Sequence, residues 1–253
     1  MKAMNLKGVI FDLGSTLLEY ENIPWDTLNT RCLEAGYAYL REEKENAPPF
    51  DEIVQQYVKI RSRYRKYAAE TLDEWIITDA IADVLKSAGL NSSVGLANRF
   101  FEAYYRPVSE QLTLFADTPY VLEELKKNNL KIGLVSNTIF PESYHLDELK
   151  KFNLIRYFDF TIFSSTFGRR KPHRSIFNHA VELSGLPAQQ LLFIGDRYIE
   201  DYSGPKDAGL QAIIKYREGR DYPDPMPDDV IVVKSLSEML PLILNEFDDR
   251  CRD

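Results

Sequence analysis

The second half of this chain alternates between short apolar segments and segments with helical periodicity, which is typical of an α/β fold. The apolar segments are rich in Val, Ile, Leu and Phe, as buried strands are. Strands are predicted at residues 131–135, 158–163, 191–194, 211–214 and 231–233, and helices at 118–127, 147–152, 172–184, 202–208 and 237–244. This alternation predicts a parallel sheet, because parallel strands need crossover connections between them.

The first predicted strand lies far from the others along the sequence. Residues 9–11 form a short apolar segment, and residues 20–112 then show helical periodicity with no strand pattern. Asp51 is a candidate cap for one helix of this segment, and Pro107 is a candidate end for another. We therefore predict two units: an α/β core of residues 1–19 and 113–253, and an all-α cap domain of residues 20–112 inserted into it.

The charge balance limits the classes of partner. The net charge is −8, and a general nucleic-acid binder would instead carry a basic face. The apolar stretch at residues 9–11 is too short for a signal peptide or a membrane span. The two cysteines, Cys32 and Cys251, cannot build a disulfide framework or a cysteine-based metal site. We expect a cytoplasmic protein with no nucleic-acid or membrane partner.

Four polar clusters punctuate the predicted α/β core, and three of them directly follow a predicted strand. They begin at Asp12, Ser136, Lys171 and Gly195. Because ligands bind at the carboxyl ends of the strands in open α/β sheets, we expect these clusters to converge on one crevice.

Each cluster carries a group suited to phosphate chemistry. Asp12 can act as a nucleophile, and a compact lysine charge such as Lys171 suits a phosphoryl group. Ser136 offers a hydroxyl to phosphate oxygens. Asp196 and Asp201, five residues apart, can hold Mg²⁺ through carboxylate oxygens. Taken singly, these residues are more typical of turns, helix caps and solvated surfaces, so only their order and spacing together indicate a site.

Together, the clusters resemble the motifs of the haloacid dehalogenase-like (HAD) superfamily, in the subclass with a helical C1-type cap between the first and second motifs. The segment FDLGSTL is similar to the first motif, LVSN to the second, RKP to the third and IGDRYIEDYSGPKDAGL to the fourth. The resemblance covers essentially the whole chain. It implies a Rossmann-like three-layer α/β core with an inserted all-α cap domain.

The resemblance also implies a role for each matching residue. Asp12 would attack phosphorus and form an aspartyl-phosphate, and Lys171 would neutralise charge on Asp12 and on the phosphoryl group. Ser136, Asn137 and Lys171 would bind the substrate phosphate. Mg²⁺ would be held by Asp12, the Gly14 carbonyl, Asp196 and Asp201. The implied activity is hydrolysis of a small phosphorylated metabolite, in which positioning and charge neutralisation do most of the work.

One position departs from the family pattern. Phosphatases of the family usually carry a second Asp, the general acid/base, where this chain has Gly14. A positioned acid/base is worth roughly 10²–10⁴ in rate, so substrates with good leaving groups, such as acyl phosphates, would suffer least from its loss. Another group, such as Glu19, or a bound water could also supply the proton.

Gly14 leaves other interpretations open. The chain could be a catalytically weak HAD domain that binds metal and a phosphorylated ligand or a protein partner. It could also be a phosphonate or haloacid hydrolase, since such relatives lack the second Asp. A phosphonate hydrolase would need a cap lysine, for which Lys44, Lys59 and Lys66 are candidates. A phosphomutase is disfavoured because it needs the missing acid/base.

Other residues bear on the ligand. Tyr20 and Trp25 follow the first motif, where relatives often line the substrate pocket. The basic, aromatic segment 61–67 could face an anionic substrate, although a solvated helix face is the commoner arrangement. His145, His173 and His179 do not share metal-ligand spacing, and no role is predicted for them.

Overall fold

The computed structural model describes residues 6–90 and 94–244; Cys251 lies outside these ranges. The strands are β1 (Gly8–Phe11), β2 (Leu18–Glu19), β3 (Thr113–Leu114), β4 (Lys131–Ser136), β5 (Phe160–Phe163), β6 (Leu191–Gly195), β7 (Gln211–Lys215) and β8 (Val232–Val233). The helices are α1 (Trp25–Glu43), α2 (Phe50–Thr71), α3 (Ile77–Ser87), α4 (Val94–Gln111), α5 (Thr118–Lys127), α6 (Glu142–Lys151), α7 (Ser164–Phe167), α8 (Arg174–Ser184), α9 (Gly204–Asp207) and α10 (Leu240–Leu244).

Six strands form one parallel sheet in the order β5-β4-β1-β6-β7-β8. The central strands are buried on both faces, which is why they are nearly continuous apolar runs rather than alternating ones. One apolar cluster covers one face of the sheet through Val9 and Phe11, and a second covers the other through Ile10 and Phe193. The predicted α/β fold with a parallel sheet between layers of helices is confirmed.

The sheet order brings the polar clusters to one edge. Phe11, the last residue of β1, pairs with Leu134 of β4 on one side and with Ile194 of β6 on the other. Because all three strands run in the same direction, Asp12, Ser136 and Asp196 emerge side by side at the carboxyl edge of the sheet.

Helices α1 to α4 form a helical segment between β2 and β3. The two short strands pair antiparallel, Leu18 with Leu114 and Glu19 with Thr113, so the chain enters and leaves this segment through one narrow ribbon. Apolar residues of the helices and of one sheet face belong to one continuous core cluster. The division into two domains at residues 19/20 and 112/113 stays a prediction. No described helix is long and apolar enough to cross a membrane.

Several local predictions were wrong at helix ends. Pro107 lies inside α4, which continues for one more turn with Val108 buried in the core, because tertiary packing outweighs the lost hydrogen bond. Asp51 lies in the first turn of α2 rather than at its cap, which is Pro49.

The helices beside the third and fourth motifs also begin differently from the prediction. The helix predicted from Pro172 starts at Arg174, and His173 caps it by accepting a hydrogen bond from the backbone N–H of Ser175. The predicted helix 202–208 is a π-helical turn, Tyr198–Ser203, followed by α9. Such turns often occur at functional sites because they redirect side chains.

Candidate active site

Asp12 stands where β1 ends, at the centre of the sheet edge. Its backbone N–H donates to the Ile194 carbonyl at 2.9 Å, which continues the pairing with β6 by one residue. The Thr16 hydroxyl donates to Asp12 Oδ2 at 3.3 Å. The side chain is buried but still lines a pocket, so it can meet a ligand from that side.

Lys171 reaches Asp12 from the loop before α8. Its Nζ lies 2.7 Å from Asp12 Oδ1 and 2.6 Å from Asp201 Oδ1, and its side chain is almost completely buried. Burial alone would lower the pKa of Lys171, but the two carboxylates outweigh it and hold the pKa above its usual value. Lys171 is therefore a permanent cation between two carboxylates.

Asn137 positions that lysine. Its side-chain amide donates to the Lys171 carbonyl at 2.9 Å, and its Oδ1 accepts from the Lys171 N–H at 2.7 Å. The sequence resemblance implied phosphate binding for Asn137, whereas these two hydrogen bonds had no local signal, since the two residues lie 34 positions apart. Ser136, one residue earlier, is buried and lines the same pocket.

Asp196 and Asp201 complete a buried acidic triad with Asp12. One carboxylate oxygen of each lies within 4.8 Å of those of the other two. The π-helical turn places Asp201 directly against β6, where a Cβ on Gly195 would come within 2.4 Å of the Asp201 carboxyl carbon. Only glycine leaves room for this approach. The Arg197 N–H fixes the other Asp201 oxygen at 2.9 Å.

The triad has the chemistry of a divalent-metal site. Burial raises the pKa of Asp196, and the neighbouring Asp12 charge raises it further, against the opposing effect of Arg220. Burial, with Asp12 and Asp196, raises the pKa of Asp201 to about 7 in spite of Lys171. Three hard oxygen donors that repel one another in a low-dielectric site suit a cation such as Mg²⁺.

Arg220 is a member of the site that the sequence did not reveal. Its guanidinium donates to Asp196 Oδ2, to Ser15 Oγ at 3.0 Å and to Glu21 Oε1 at 2.6 Å. Lys215 adds a hydrogen bond to the Ser15 carbonyl at 2.8 Å. Arg220 lies 24 residues beyond Asp196 in a loop without a motif, so no local pattern marked it.

The ring of Tyr20 lies next to Gly14. A Cβ at this position would lie 3.4 Å from the Tyr20 ring, which is ordinary contact, and the backbone conformation is open to any residue. The Tyr20 hydroxyl donates to Glu148 at 2.5 Å. His145, for which no role was predicted, lies 2.8 Å from the same Glu148 oxygen and 2.7 Å from Thr138 Oγ1. His145 and Glu148 lie three residues apart on α6, and this spacing was the sequence signal that could have identified them as interacting residues.

A pocket of about 570 Å³ lies over these groups, between the sheet edge and the helical segment. It contains Asp12, Gly14, Ser136, Asn137, Lys171 and Asp196 in its lining. The lining from the helical segment and its adjoining turns comprises Trp25, Asp26, Asn29, Arg61, Arg65, Glu74, Trp75 and Tyr104. Tyr20 and Trp25 therefore lie where the sequence suggested.

Several sequence candidates do not line this pocket. Glu19, considered as a replacement acid, is instead paired with Arg217. The candidate cap lysines Lys44, Lys59 and Lys66 are absent from the lining. Neither Glu19 nor these lysines is in place for proton transfer or for covalent chemistry in this conformation.

Comparisons with known proteins agree with the geometry. The chain is 25% identical over 247 residues to a glyceraldehyde 3-phosphate phosphatase of Methanocaldococcus jannaschii, covering 95% of this chain and 98% of the relative. It is 30% identical over 167 residues to a probable phosphoglycolate phosphatase of Pseudomonas putida, covering 64% of this chain and 61% of the relative.

Among solved structures, a 2-haloacid dehalogenase from Pseudomonas syringae superposes with a TM-score of 0.72 at 24% identity, over 96% of this chain and 99% of that one. At this identity the likeness shows the fold alone. The family model described as haloacid dehalogenase-like hydrolase matches residues 9–215, which include Asp12, Lys171, Asp196 and Asp201. The chain therefore belongs to the haloacid dehalogenase-like hydrolase family.

Proposed function

We propose that this hydrolase is a Mg²⁺-dependent phosphatase of a small phosphorylated metabolite, acting through an aspartyl-phosphate at Asp12. The observation that carries the proposal is the buried triad of Asp12, Asp196 and Asp201 with Lys171 bound between two of its members. The relatives named as phosphatases of glyceraldehyde 3-phosphate and of phosphoglycolate support the same substrate class.

Mg²⁺ would be held by Asp12, Asp196, Asp201 and the Gly14 carbonyl. When bound, it would neutralise charge on the phosphoryl oxygens and orient them for attack. The fit rests on the donor set itself. Asp12, Asp196 and Asp201 are three buried carboxylates, and the single charge of Lys171 does not neutralise them, so the triad keeps a net negative charge that suits a cation.

The protein groups divide the reaction between them. A carboxylate oxygen of Asp12 forms a bond to phosphorus while the bond to the leaving oxygen breaks, and the leaving oxygen takes a proton. Lys171 already touches Asp12, so it can follow the charge as it moves to the phosphoryl oxygens. Ser136 would donate to one of those oxygens. Water then attacks the aspartyl-phosphate, which releases phosphate and restores Asp12.

Because Gly14 cannot supply a proton, it determines which phosphorylated substrates are hydrolysed fastest. Without a carboxyl at position 14, the leaving oxygen has no dedicated proton donor, and the hydroxyl of Tyr20, whose ring lies near Gly14, already donates to Glu148. Burial and the Glu148 charge hold the pKa of Tyr20 well above its usual value. We therefore expect acyl and aryl phosphates, whose leaving groups need little protonation, to be hydrolysed faster than alkyl phosphates.

The test is a screen of acyl, aryl and alkyl phosphates for phosphate release, with Mg²⁺ and with a chelator in its place. Wild-type protein should release phosphate only with the metal, and Asp12→Asn should lower the rate at least roughly 10³-fold. Binding of Mg²⁺ should also raise the unfolding temperature, by an amount that Asp196→Asn reduces.

Three results would contradict the proposal. Hydrolysis that persists in Asp12→Asn would exclude the covalent route through that residue. Halide release from haloacids without phosphate release would make the chain a haloacid hydrolase. A protein that binds Mg²⁺ and phosphorylated ligands but turns none over would be a binding module, the alternative that Gly14 left open.

A further inference from the structure

We propose that the substrate carries a second anionic oxygen group, a carboxylate or a second phosphoryl group, that binds on the helical side of the pocket. The binding groups are Arg61, Arg65 and Trp75, which we call the helical wall. This inference rests on the proposed function, because it assigns the phosphoryl group to Asp12 and asks what occupies the opposite side.

The two arginines share one face of a helix. Arg61 and Arg65 lie four residues apart on α2, so their side chains project in the same direction, and both line the pocket that contains Asp12. The Arg61 guanidinium carbon lies 5.8 Å from the centre of the Tyr57 ring, which helps to hold the side chain against α2.

Neither arginine is neutralised by the part of the chain that the structure describes. Arg63 pairs with Asp83 and Arg170 approaches Glu74, whereas no ion pair to a described residue involves Arg61 or Arg65. Guanidinium groups favour planar oxygen anions, to which they can donate two parallel hydrogen bonds. Two such groups on one pocket wall therefore suit an anionic substituent.

Two buried donors on the same wall also lack a partner. The Nε of Arg61 and the indole Nε1 of Trp75 are both shielded from solvent and make no hydrogen bond to a described residue. Trp75 is 6% exposed and lines the pocket. Because buried N–H groups are almost always satisfied, two unsatisfied donors on residues that line one cavity favour an acceptor-rich ligand group there.

The pocket has room for both ends of such a molecule. Its volume of about 570 Å³ is far larger than a phosphoryl group needs. Trp25, Trp75 and Tyr104 add aromatic surface to the lining of the same pocket. The substrate then has its phosphoryl group at Asp12, an organic skeleton against the aromatic rings, and its second anion at Arg61 and Arg65.

The experiment compares aryl phosphates whose second group, at the para position, is either anionic or neutral. The probes are para-carboxyphenyl phosphate, its neutral carboxamide analogue, and hydroquinone bisphosphate, which share an aryl leaving group and a similar size. For the wild-type protein with Mg²⁺, kcat/KM for one of the two anionic probes should exceed that for the carboxamide by about tenfold or more. Which anion is preferred identifies the second group.

The variants assign that preference to the helical wall. Arg61→Gln and Arg65→Gln should each bring the ratio of kcat/KM for the anionic probe to kcat/KM for the carboxamide close to one. Arg31→Gln is the matched control, because Arg31 is an exposed arginine of α1 that does not line the pocket. It should keep the full preference. Equal hydrolysis of all three probes by wild-type protein, or a preference that survives in both variants, would overturn the inference.

Binding without turnover separates this inference from the proposed function. Both tryptophans of the chain, Trp25 and Trp75, line the pocket, so tryptophan fluorescence reports ligand binding directly. If no probe is hydrolysed but the anionic probes bind at least about tenfold more tightly than the carboxamide, and Arg61→Gln abolishes that difference, the proposed function fails and the inference stands. If the probes are hydrolysed and bind equally well, the proposed function stands and the inference fails.

Discussion

The two sides of the pocket differ in whether their cationic side chains form ion pairs within the protein. On the floor, by which we mean Asp12, Asp196, Asp201 and the cations bound to them at the sheet edge, Lys171 pairs with Asp12 and Asp201, and Arg220 pairs with Asp196 and Glu21. On the helical wall, Arg61 and Arg65 have no carboxylate partner among the described residues. The side chains of the floor are therefore held in place by ion pairs before a ligand binds, whereas the two arginines of the helical wall are available to pair with the ligand.

This difference teaches where stability and specificity reside. Charges that are mutually paired and buried stabilise one arrangement of the site, and removal of one member leaves the others uncompensated. Unpaired charges at a pocket surface contribute little to folding but can contribute to binding. Substitutions on the two sides should consequently have different effects on stability, on rate and on substrate preference.

The largest effect is expected at Lys171. The variant Lys171→Met leaves Asp12 and Asp201 buried without their cation, which should lower the free energy of unfolding by about 3–5 kcal/mol and abolish turnover. Urea unfolding measures the change. Lys150→Met, which removes an exposed pair with Asp147, is the control and should cost less than about 1 kcal/mol. Equal losses for the two variants would show that the floor is not preorganised by its buried ion pairs.

The next effect is a gain. The variant Gly14→Asp adds a carboxyl on a Cβ that would make only ordinary contact with the Tyr20 ring, and it should raise the hydrolysis of alkyl phosphates by roughly 10²–10⁴, with much less change for acyl phosphates. Gly14→Asn has the same shape and cannot transfer the proton, so it should not gain rate. Steady-state kinetics on both substrate classes test this. A similar gain in both variants would point to packing rather than to acid/base chemistry.

A smaller effect is expected at the clamp on Lys171. The variant Asn137→Ala removes two hydrogen bonds to the lysine backbone and leaves its N–H without a side-chain acceptor, at a cost of about 1–3 kcal/mol in unfolding free energy. Asn128→Ala removes a single helix-end bond to the Glu124 carbonyl and should cost less. The kcat of Asn137→Ala should fall as well, since Lys171 is then less well placed. An unchanged kcat would exclude a positioning role.

The smallest effect is expected on the helical wall. The variant Arg61→Gln breaks no ion pair, so the unfolding free energy should change by no more than about 0.5 kcal/mol. Arg220→Gln is the matched change on the floor and should be clearly more destabilising, because Asp196 and Glu21 lose their partner. Denaturant unfolding of the two variants without ligand gives the comparison. A larger loss for Arg61→Gln would reverse the assignment of the two sides.

Sequence reasoning was strongest where local patterns carry the information. The strands of the sheet and the juxtaposition of Asp12 with Ser136 and Asp196 follow from apolar runs that end in polar turns, and the helix at residues 118–127 follows from its helical periodicity. The same reasoning missed the continuation of α4 past Pro107, because tertiary burial decided there against a local preference.

It also missed the partners that have no local signature. Arg220 and the side-chain clamp of Asn137 depend on how distant loops fold over the sheet edge, which no spacing rule encodes. The pairing of Glu19 with Arg217, which removed it as a candidate acid, has the same origin. Loop residues that meet across the carboxyl edge are therefore the part of such a site that needs a structure.

The ribbon of β2 and β3 has a consequence for protein engineering. Leu18 and Glu19 pair with Leu114 and Thr113, so the two ends of the helical segment are neighbours in space. A segment whose ends meet can be exchanged as a cassette, because a foreign insert with adjacent ends would leave the strand register untouched. The graft must present an apolar face, since the native helices share a core with one side of the sheet. Chimeras made at this ribbon would combine the same catalytic residues at the sheet edge with different helical segments over the pocket.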